Sequence, residues 1–415
     1  MINAMRRFLV PIAAAAILAA ASRPPDITFR VRMIDPGVTE TTAIADINKD
    51  GLPDIVSGDS WYEAPSWKKH PIREINFTQN YVDNFSDLVV DVDGDGYPDI
   101  VQFGYFSGNI VWLKNPGKNV ASPSVKEWVK TEIDASGPTE FALLVDLNND
   151  GKALELLPEF DRATVPLAWF ELKDHKWVKH VVSKQSYGHG IGVGDINGDG
   201  RNDILTPKGW FEAPPDPASG EWTFHATDWE TPPGPATTPA RTSFGFMYAI
   251  DLNGDGRMDI LTTAAHDYGV FWFEQMPPEP GKEPQWVRHT IDNTWSQAHA
   301  SVLVDLNGDG QPDLVTGKRY MAHNGNDPGE REPLGLYWYE YRKVPVAGRG
   351  ANANGGVEWI RHIIDYGGRM GAGLQVRVTD IDGDGDLDVI AGGKSGLFIA
   401  ENVTKNPQRI SPKKP

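Results

Sequence analysis

The 415-residue chain contains no cysteine, which excludes disulfide staples, thiolate metal sites, a cysteine nucleophile and lipid attachment through cysteine. It is also short of long apolar runs. Beyond residues 8–21 no stretch approaches the roughly 20 apolar residues of a membrane helix. That one stretch follows Arg6 and Arg7 and ends in Ala19-Ala20-Ala21. It reads as a cleaved signal peptide over residues 1–21, so the mature chain is expected to be secreted or periplasmic, without a membrane span. A G-x-S-x-G elbow, a phosphate loop and an H-E-x-x-H pair are missing too, which leaves ordinary serine, thiol and zincin hydrolysis without support. Positive charge is scarce: 39 Lys and Arg stand against 57 Asp and Glu, a net of −18, which argues against nucleic acid as a partner.

What is present in excess is one acidic turn. The pattern D-x-[D/N]-x-D-G-x-x-D, or a near copy, occurs seven times. Its side-chain oxygens at positions 1, 3, 5 and 9 are Asp46, Asn48, Asp50 and Asp54; Asp91, Asp93, Asp95 and Asp99; Asp146, Asn148 and Asp150; Asp195, Asn197, Asp199 and Asp203; Asp251, Asn253, Asp255 and Asp259; Asp305, Asn307, Asp309 and Asp313; and Asp380, Asp382, Asp384 and Asp388. Oxygen ligands at these positions, a backbone carbonyl at 7 and a glycine at 6 for the sharp turn are what a hard cation such as Ca²⁺ requires. In the third turn Leu154 takes position 9 and Glu155 follows. Either Glu155 substitutes through a wider turn or that site holds no ion. An EF-hand needs a bidentate Glu at position 12, where this chain has Ser57, Thr206, Thr262, Thr316 or Ala391.

The flanks read as strands, with FALLVD (141–146) and SVLVDL (301–306) before the turns and DIV, DILT or DLVT after them. Each repeat continues with an aromatic strand such as WYE or WFE, and five repeats add a strand marked W-x-x-H. Turn-to-turn intervals of 45, 55, 49, 56, 54 and 75 residues suit four-stranded propeller blades. The seventh turn lacks its W-x-x-H strand, whereas ITFRVRMID (27–35) resembles one. The expectation is an all-β, seven-bladed β-propeller over residues 22–402, its last blade closed by the N-terminal strand, with a tail at 403–415. A blade cannot bury both faces alone, so the ring is one domain.

Turns of this sequence between strands resemble the FG-GAP/VCBS repeat family, which includes the calcium-bearing blades of integrin α-subunits. The resemblance covers about residues 27–402 and implies seven-bladed propellers with Ca²⁺ on one face. It leaves function open among adhesion, ligand binding and carbohydrate chemistry. The W-x-E and W-x-x-H variant, with GKRYMAHNGNDPGE (317–330), is also similar to the propeller part of aldos-2-ulose dehydratase.

If the turns occupy one face, non-periodic residues at the start of first strands and after second strands gather on the other. His70, His180, His225, His289 and His362 share one repeat position and read as structural. His189, His299, His266 and His323 do not, and imidazoles converging at a propeller mouth suit a transition metal or proton transfer. The expected site places a divalent ion (Zn²⁺ or Mn²⁺) on His189, His299 and His323. His266 or Tyr187 is the expected base, with positive charge from Arg319 and Lys318. Glu140, Asp87, Trp295, Lys208 and Arg369 are expected to bind substrate. The long connection at 318–335 also carries Asp327.

Two function classes stay open. One is an exported carbohydrate lyase or dehydratase acting by β-elimination, needing a base and a cation. The other is a non-catalytic module that binds a glycan or protein partner. Twenty-two of the 57 acidic residues are turn ligands, and seven divalent ions would reduce the net charge to about −4. Chelation is therefore expected to lower the melting temperature through repulsion among the bared carboxylates, and an unchanged melt in excess EDTA would contradict this.

Overall fold

The computed structural model describes residues 26–227, 229, 243–343 and 356–405. The signal-peptide reading at 1–21, the TPPGPATTPAR stretch at 231–241, residues 348–355 and the tail from 406 lie outside them. Each acidic turn does form a hairpin between two short strands, and the sheets assemble from these units.

The first strand, β1 (Phe29–Asp35), is followed by an antiparallel sheet of β2 (Ala43–Ala45), β3 (Asp54–Ser57), β4 (Ser60–Glu63) and β5 (Lys68–Pro71). A hairpin of β6 (Phe77–Thr78) and β7 (Tyr81–Val82) precedes the sheet of β8 (Ser86–Val90), β9 (Asp99–Phe103), β10 (Ile110–Lys114) and β11 (Val129–Asp134). Next come β12 (Thr139–Val145), β13 (Glu155–Phe160), β14 (Leu167–Lys173) and β15 (Lys176–Ser183). Eight strands then share one sheet: β16 (Ile191–Gly194), β17 (Asp203–Thr206), β18 (Gly209–Glu212), β19 (Thr223–Ala226), β20 (Phe246–Ile250), β21 (Asp259–Thr263), β22 (Tyr268–Gln275) and β23 (Trp286–Ser296). A further sheet holds β24 (Ala298–Val304), β25 (Asp313–Lys318), β26 (Gly335–Lys343) and β27 (Val357–Tyr366). The last unites β28 (Val376–Thr379), β29 (Asp388–Gly393) and β30 (Gly396–Asn402) with β1, Phe29 lying opposite Asn402 and Met33 opposite Phe398.

The first strands touch in cyclic order, β2 on β8, β12, β16, β20, β24 and β28 in turn, and β28 back on β2. The result is a β-propeller-like ring of sheets. Apolar clusters fill the space between neighbours; one combines Leu88, Val101 and Phe103 with Leu156, Phe160 and Phe170 from the next sheet. Separate four-stranded sheets were expected throughout. Among the described residues five stand alone, and β16 pairs with β20 in parallel to merge eight strands. Two glycines permit this approach: a Cβ on Gly192 would collide with the Met247 carbonyl oxygen, and one on Gly194 would collide with Ala249 Cβ.

The turns share one internal geometry. The position-1 carboxylate accepts the position-6 amide, as Asp46 Oδ2 does from Gly51 at 3.0 Å and Asp195 Oδ2 from Gly200 at 2.8 Å. The position-9 carboxylate is buried and bridges two segments. Asp54 accepts the amides of Ile47 (3.0 Å) and Ala64 (2.8 Å), so it ties the turn to the end of the third strand. Asp99, Asp203, Asp259, Asp313 and Asp388 repeat the arrangement. In the third turn Glu155 accepts the Leu147 amide at 3.0 Å and pairs across from Val145, the register place of those aspartates. The wider turn is the form the structure adopts. Burial, with the neighbouring carboxylates adding to it, pushes Asp54 and Asp99 up to about 6 and Asp203, Asp259, Asp313, Asp388 and Glu155 up to about 7.

The W-x-x-H strands explain five histidines. Each imidazole stacks on the tryptophan of the third strand, with ring centroids from 4.1 Å (Trp210–His225) to 4.4 Å (Trp61–His70). Each Nε2 also meets the glutamate of the W-x-E strand, for example Glu274 to His289 at 2.8 Å. These histidines are structural, as their shared position implies.

Gly192→Ala should lower stability by about 1–3 kcal/mol, because the methyl group has no room against the Met247 carbonyl. Urea unfolding reads this directly, and an unshifted midpoint would show that β16 and β20 are not tightly joined.

Candidate metal centre at the ring mouth

Residues six places before the acidic turns sit at the opposite ends of the first strands, about 20 Å away along extended chain. They are Glu40, Phe85, Glu140, His189, Gly245, His299 and Leu374. The connections after the second strands reach the same level and bring Tyr105, Asp161, His266, Arg319 and Lys394. The mouth is thus built from two sets of positions that the repeat leaves free to vary.

Glu140, His189, His266 and His299 meet there, all buried, with one ligand atom of each within 4.8 Å of the others. Each imidazole is oriented through Nδ1. His189 Nδ1 is 2.7 Å from the Phe244 carbonyl oxygen, His299 Nδ1 is 3.3 Å from that of Gln297, and His266 Nδ1 is 2.7 Å from Asp327 Oδ2. Such partners fix the tautomer that leaves Nε2 with a lone pair, the arrangement of metal-binding histidines. His189 Nε2 and His299 Nε2 are buried without a hydrogen-bond partner. The former lies 3.0 Å from Glu140 Oε2, within ion-pair reach but off the hydrogen-bond direction. A tetrahedral ion with bonds of about 2.1 Å holds its ligands about 3.4 Å apart, so the four donors need only modest contraction to close around one.

Charge is distributed unevenly over the cluster. Burial works against protonation of His189, but Glu140 and then Glu159 outweigh it and push the imidazole up to about 9. Burial and the charge of His189 push His266 down to about 3, and burial with Arg319 holds His299 well below its ordinary value. Glu140 stays well below the usual carboxylate range, because His189 and Arg319 overcome its burial. Glu159, behind it, is pushed up to about 8 by burial and by Asp161.

Arg319 is 1% exposed and joins Glu40 (Nε, 3.1 Å) to Glu140 (Nη1, 2.5 Å), with Nη2 buried and unpartnered. The hairpin of β6 and β7 turns at Gln79 and Asn80, both at positive φ, and leans on the 319–334 connection. Asn80 Nδ2 lies 3.4 Å from Asn324 Oδ1, and the Tyr81 hydroxyl donates to the Ala322 carbonyl. Below this roof is a 290 Å³ cavity lined by Tyr81, Phe85, Tyr105, Phe106, Glu140, Asp161, His189, His266, Arg319 and His323, among others.

The expected ligand trio is regrouped. His323 does not join His189 and His299; its Nδ1 lies 2.8 Å from Asp327 Oδ2 and its ring stacks on His266 at 4.2 Å. His266, expected as a base, is shared by both groups. Tyr187 packs on Phe211 and Phe224 and does not line the cavity. Lys318 turns the other way from Arg319, toward Ser296 Oγ (3.1 Å) and the Gly329 carbonyl (2.5 Å). Asp87 is engaged by Arg73 at 2.6 Å, and Trp295 lines a separate 520 Å³ cavity with Tyr337, Arg361 and Tyr366. Lys208 and exposed Arg369 do not line the mouth cavity. Sequence reasoning missed Glu40, Tyr81, Tyr105, Glu159 and Asp161. Glu40 was accessible to it, since it fills the position of Glu140 and His189 in the first repeat.

In metal-free protein, the raised His189 contributes stability fully below its unfolded value near 6.5 and loses it as pH rises through about 9. The melting-temperature gap between chelator-treated wild type and His189→Asn should therefore shrink from pH 6.5 to above 9. A gap independent of pH would contradict the pairing with Glu140.

Two segments, residues 91–155 and 251–316, match the FG-GAP-like repeat family. Each opens at the first aspartate of one turn and runs through the next. No curated protein matches the chain. Among solved structures, BBS1N in complex with ARL6DN is 10% identical with a TM-score of 0.52, covering 92% of this chain and 98% of that one. An Agrocybe aegerita lectin that recognises non-reducing terminal N-acetylglucosamine is 16% identical, with a TM-score of 0.43 over 81% of this chain and 80% of its own. A putative oxidoreductase (glucose dehydrogenase) of Thermus thermophilus is 11% identical, with a TM-score of 0.36 over 73% of this chain and 98% of its own. The likeness in fold rests on the first of these. Acidic turns, ring topology and matched segments agree that the chain carries FG-GAP-like repeats on a β-propeller-like ring.

Proposed function

We propose that the chain is an exported, calcium-stabilised propeller whose mouth holds one divalent transition-metal ion and acts on carbohydrate by β-elimination, as a lyase or dehydratase. The observation that carries this reading is the convergence of Glu140 with three Nδ1-anchored imidazoles, two of them with buried Nε2 atoms that face Glu140 and meet no hydrogen-bond partner, beside an aromatic-walled cavity. In this reading the eight-stranded sheet counts as two blades, which gives seven around the ring. The turn oxygens are seats for Ca²⁺: at Asp91, Asp93 and Asp99, and at Asp380, Asp382 and Asp388, ligand atoms lie within 4.8 Å of one another. Export rests on the apolar start behind Arg6 and Arg7.

A divalent ion on Glu140, His189, His266 and His299 would supply Lewis acidity toward a carbonyl or carboxylate oxygen. The chain's own residues do the rest. Asp327 orients His266, and Phe244 and Gln297 orient His189 and His299 through their carbonyls. Arg319, buried between Glu40 and Glu140, adds a fixed positive charge, while Tyr81, Phe85 and Phe106 offer apolar faces for a sugar ring.

A non-catalytic binding module is the second reading. It is favoured by the separate 520 Å³ cavity, where exposed Tyr366 and Ile363 flank Trp295, Tyr337 and Arg361. Metal analysis separates the two. The enzyme reading expects one transition-metal ion per chain in addition to calcium, lost in His299→Ala together with turnover of a substrate found by screening. Calcium alone, or full turnover in that variant, would contradict it.

A further inference from the structure

Elimination requires a proton acceptor and a proton donor, and the residues described so far supply neither. His266 is committed on both sides, through Nδ1 to Asp327 and through Nε2 to the ligand cluster. Tyr187 lies outside the cavity.

Two other cavity residues are placed for the work. Tyr105 follows β9 and Asp161 follows β13, so they occupy corresponding connections of adjacent sheets. The Tyr105 hydroxyl donates to Asp161 Oδ2 at 2.7 Å, and both side chains line the cavity that Glu140, His189 and His266 share. The phenol ring is held by Phe85, stacked at 5.0 Å, and edge-on by Phe106 at 5.3 Å. The Asp161 backbone is pinned by its amide, which donates to the Pro138 carbonyl at 3.1 Å. Of the other carboxylates at the mouth, Glu40 and Glu140 meet Arg319, Glu140 meets His189, Asp327 meets His266 and His323, and Glu159 accepts the Glu140 amide without lining the cavity. Asp161 takes its side-chain hydrogen bond from a phenol instead, which leaves its basicity in use rather than neutralised.

We propose that Asp161 and Tyr105 are the proton-transferring pair of this site, Asp161 taking the proton next to the substrate carbonyl and Tyr105 protonating the departing oxygen. This rests on the β-elimination reading above. The C–H bond breaks toward an Asp161 oxygen, and its electron pair becomes the new carbon–carbon double bond. The β C–O bond breaks with its own pair on oxygen, which takes the Tyr105 proton and leaves as water or an alcohol. The phenolate then recovers a proton from Asp161 across the existing hydrogen bond. No oxidant or reductant is needed, and the pair ends as it began.

Electrostatics agree with these roles. Burial raises the Asp161 carboxyl and the Glu140 charge adds to this, against the hydrogen bond from Tyr105. Burial and Asp161 raise the Tyr105 phenol, which therefore keeps its proton at neutral pH.

The test uses the full, metal-loaded chain and a panel of 2-ketohexoses and 4-linked uronic-acid glycosides, comparing wild type with Asp161→Asn and with the near-isosteric Tyr105→Phe. Deuterium exchange at the carbon next to the carbonyl, followed by NMR in D₂O, reports proton removal. Absorbance of the conjugated product reports elimination, and metal content and melting temperature report the site and the fold. Asp161→Asn should lose both reactions by roughly a hundredfold or more, whereas Tyr105→Phe should keep exchange within about threefold yet lose elimination by a similar hundredfold. Metal content should be unchanged in both. Wild-type-like rates in Asp161→Asn, or parallel loss of exchange and elimination in a folded, metal-replete Tyr105→Phe, would overturn the pairing alone. Neither reaction in wild type with any panel member would overturn the elimination reading and the pairing with it.

Discussion

A buried carboxylate at the end of each acidic turn is the constraint on which this architecture depends. Asp54, Asp99, Asp203, Asp259 and Asp313 have no exposed surface, and Asp388 and Glu155 almost none. Each binds the amide of the turn's second residue and, for the aspartates, an amide at or near the end of the third strand. One side chain thereby fixes where the first strand stops and where the third must return. Burying a carboxylate opposes its ionisation, which is why these groups titrate high.

Fixing one end of every first strand fixes the other. The residues six places upstream reach a common level, so a glutamate and two histidines from separate sheets meet although 49 to 159 residues separate them in the chain. The repeat itself has no use for a charged or imidazole side chain there, as Leu374, Gly245 and Phe85 at the same position show. Polar groups buried at this level need partners, and the partners are one another: Arg319 between two carboxylates, His266 against Asp327. Breaking the buried ion pairs of Arg319 from one side is costly.

Periodic features were legible in the sequence because repetition reports them. The acidic turns, the structural role of the W-x-x-H histidines and the pairing of β1 with β30 follow from spacing alone, and the same reasoning brought Glu140, His189, His299, His266 and Arg319 to one place. Glu155 was legible as an alternative, and the strand register puts it in the place that aspartates take in the other turns. The rest depends on direction rather than position. Lys318 and Arg319 are adjacent, yet successive side chains face opposite ways, so one enters the cavity and the other does not. Tyr187 stands two residues from His189 and still turns outward onto Phe211 and Phe224. Tyr105 and Asp161 lie in connections with no periodic register, and their meeting depends on how adjacent sheets pack. The merger through β16 and β20 turns on the facing of Gly192 and Gly194, which sequence spacing does not reveal.

The central claim is that a fixed six-residue offset from the acidic turns brings Glu140, His189 and His299 to one point at the ring mouth, where the connection after β21 adds His266. Crystallography of the full chain with anomalous difference maps across transition-metal absorption edges tests this most directly. The account predicts a single transition-metal peak bonded to Glu140, His189, His266 and His299, apart from lighter peaks in the acidic turns. A mouth in which those four side chains point apart, or a transition-metal peak only among the turn aspartates, would contradict it.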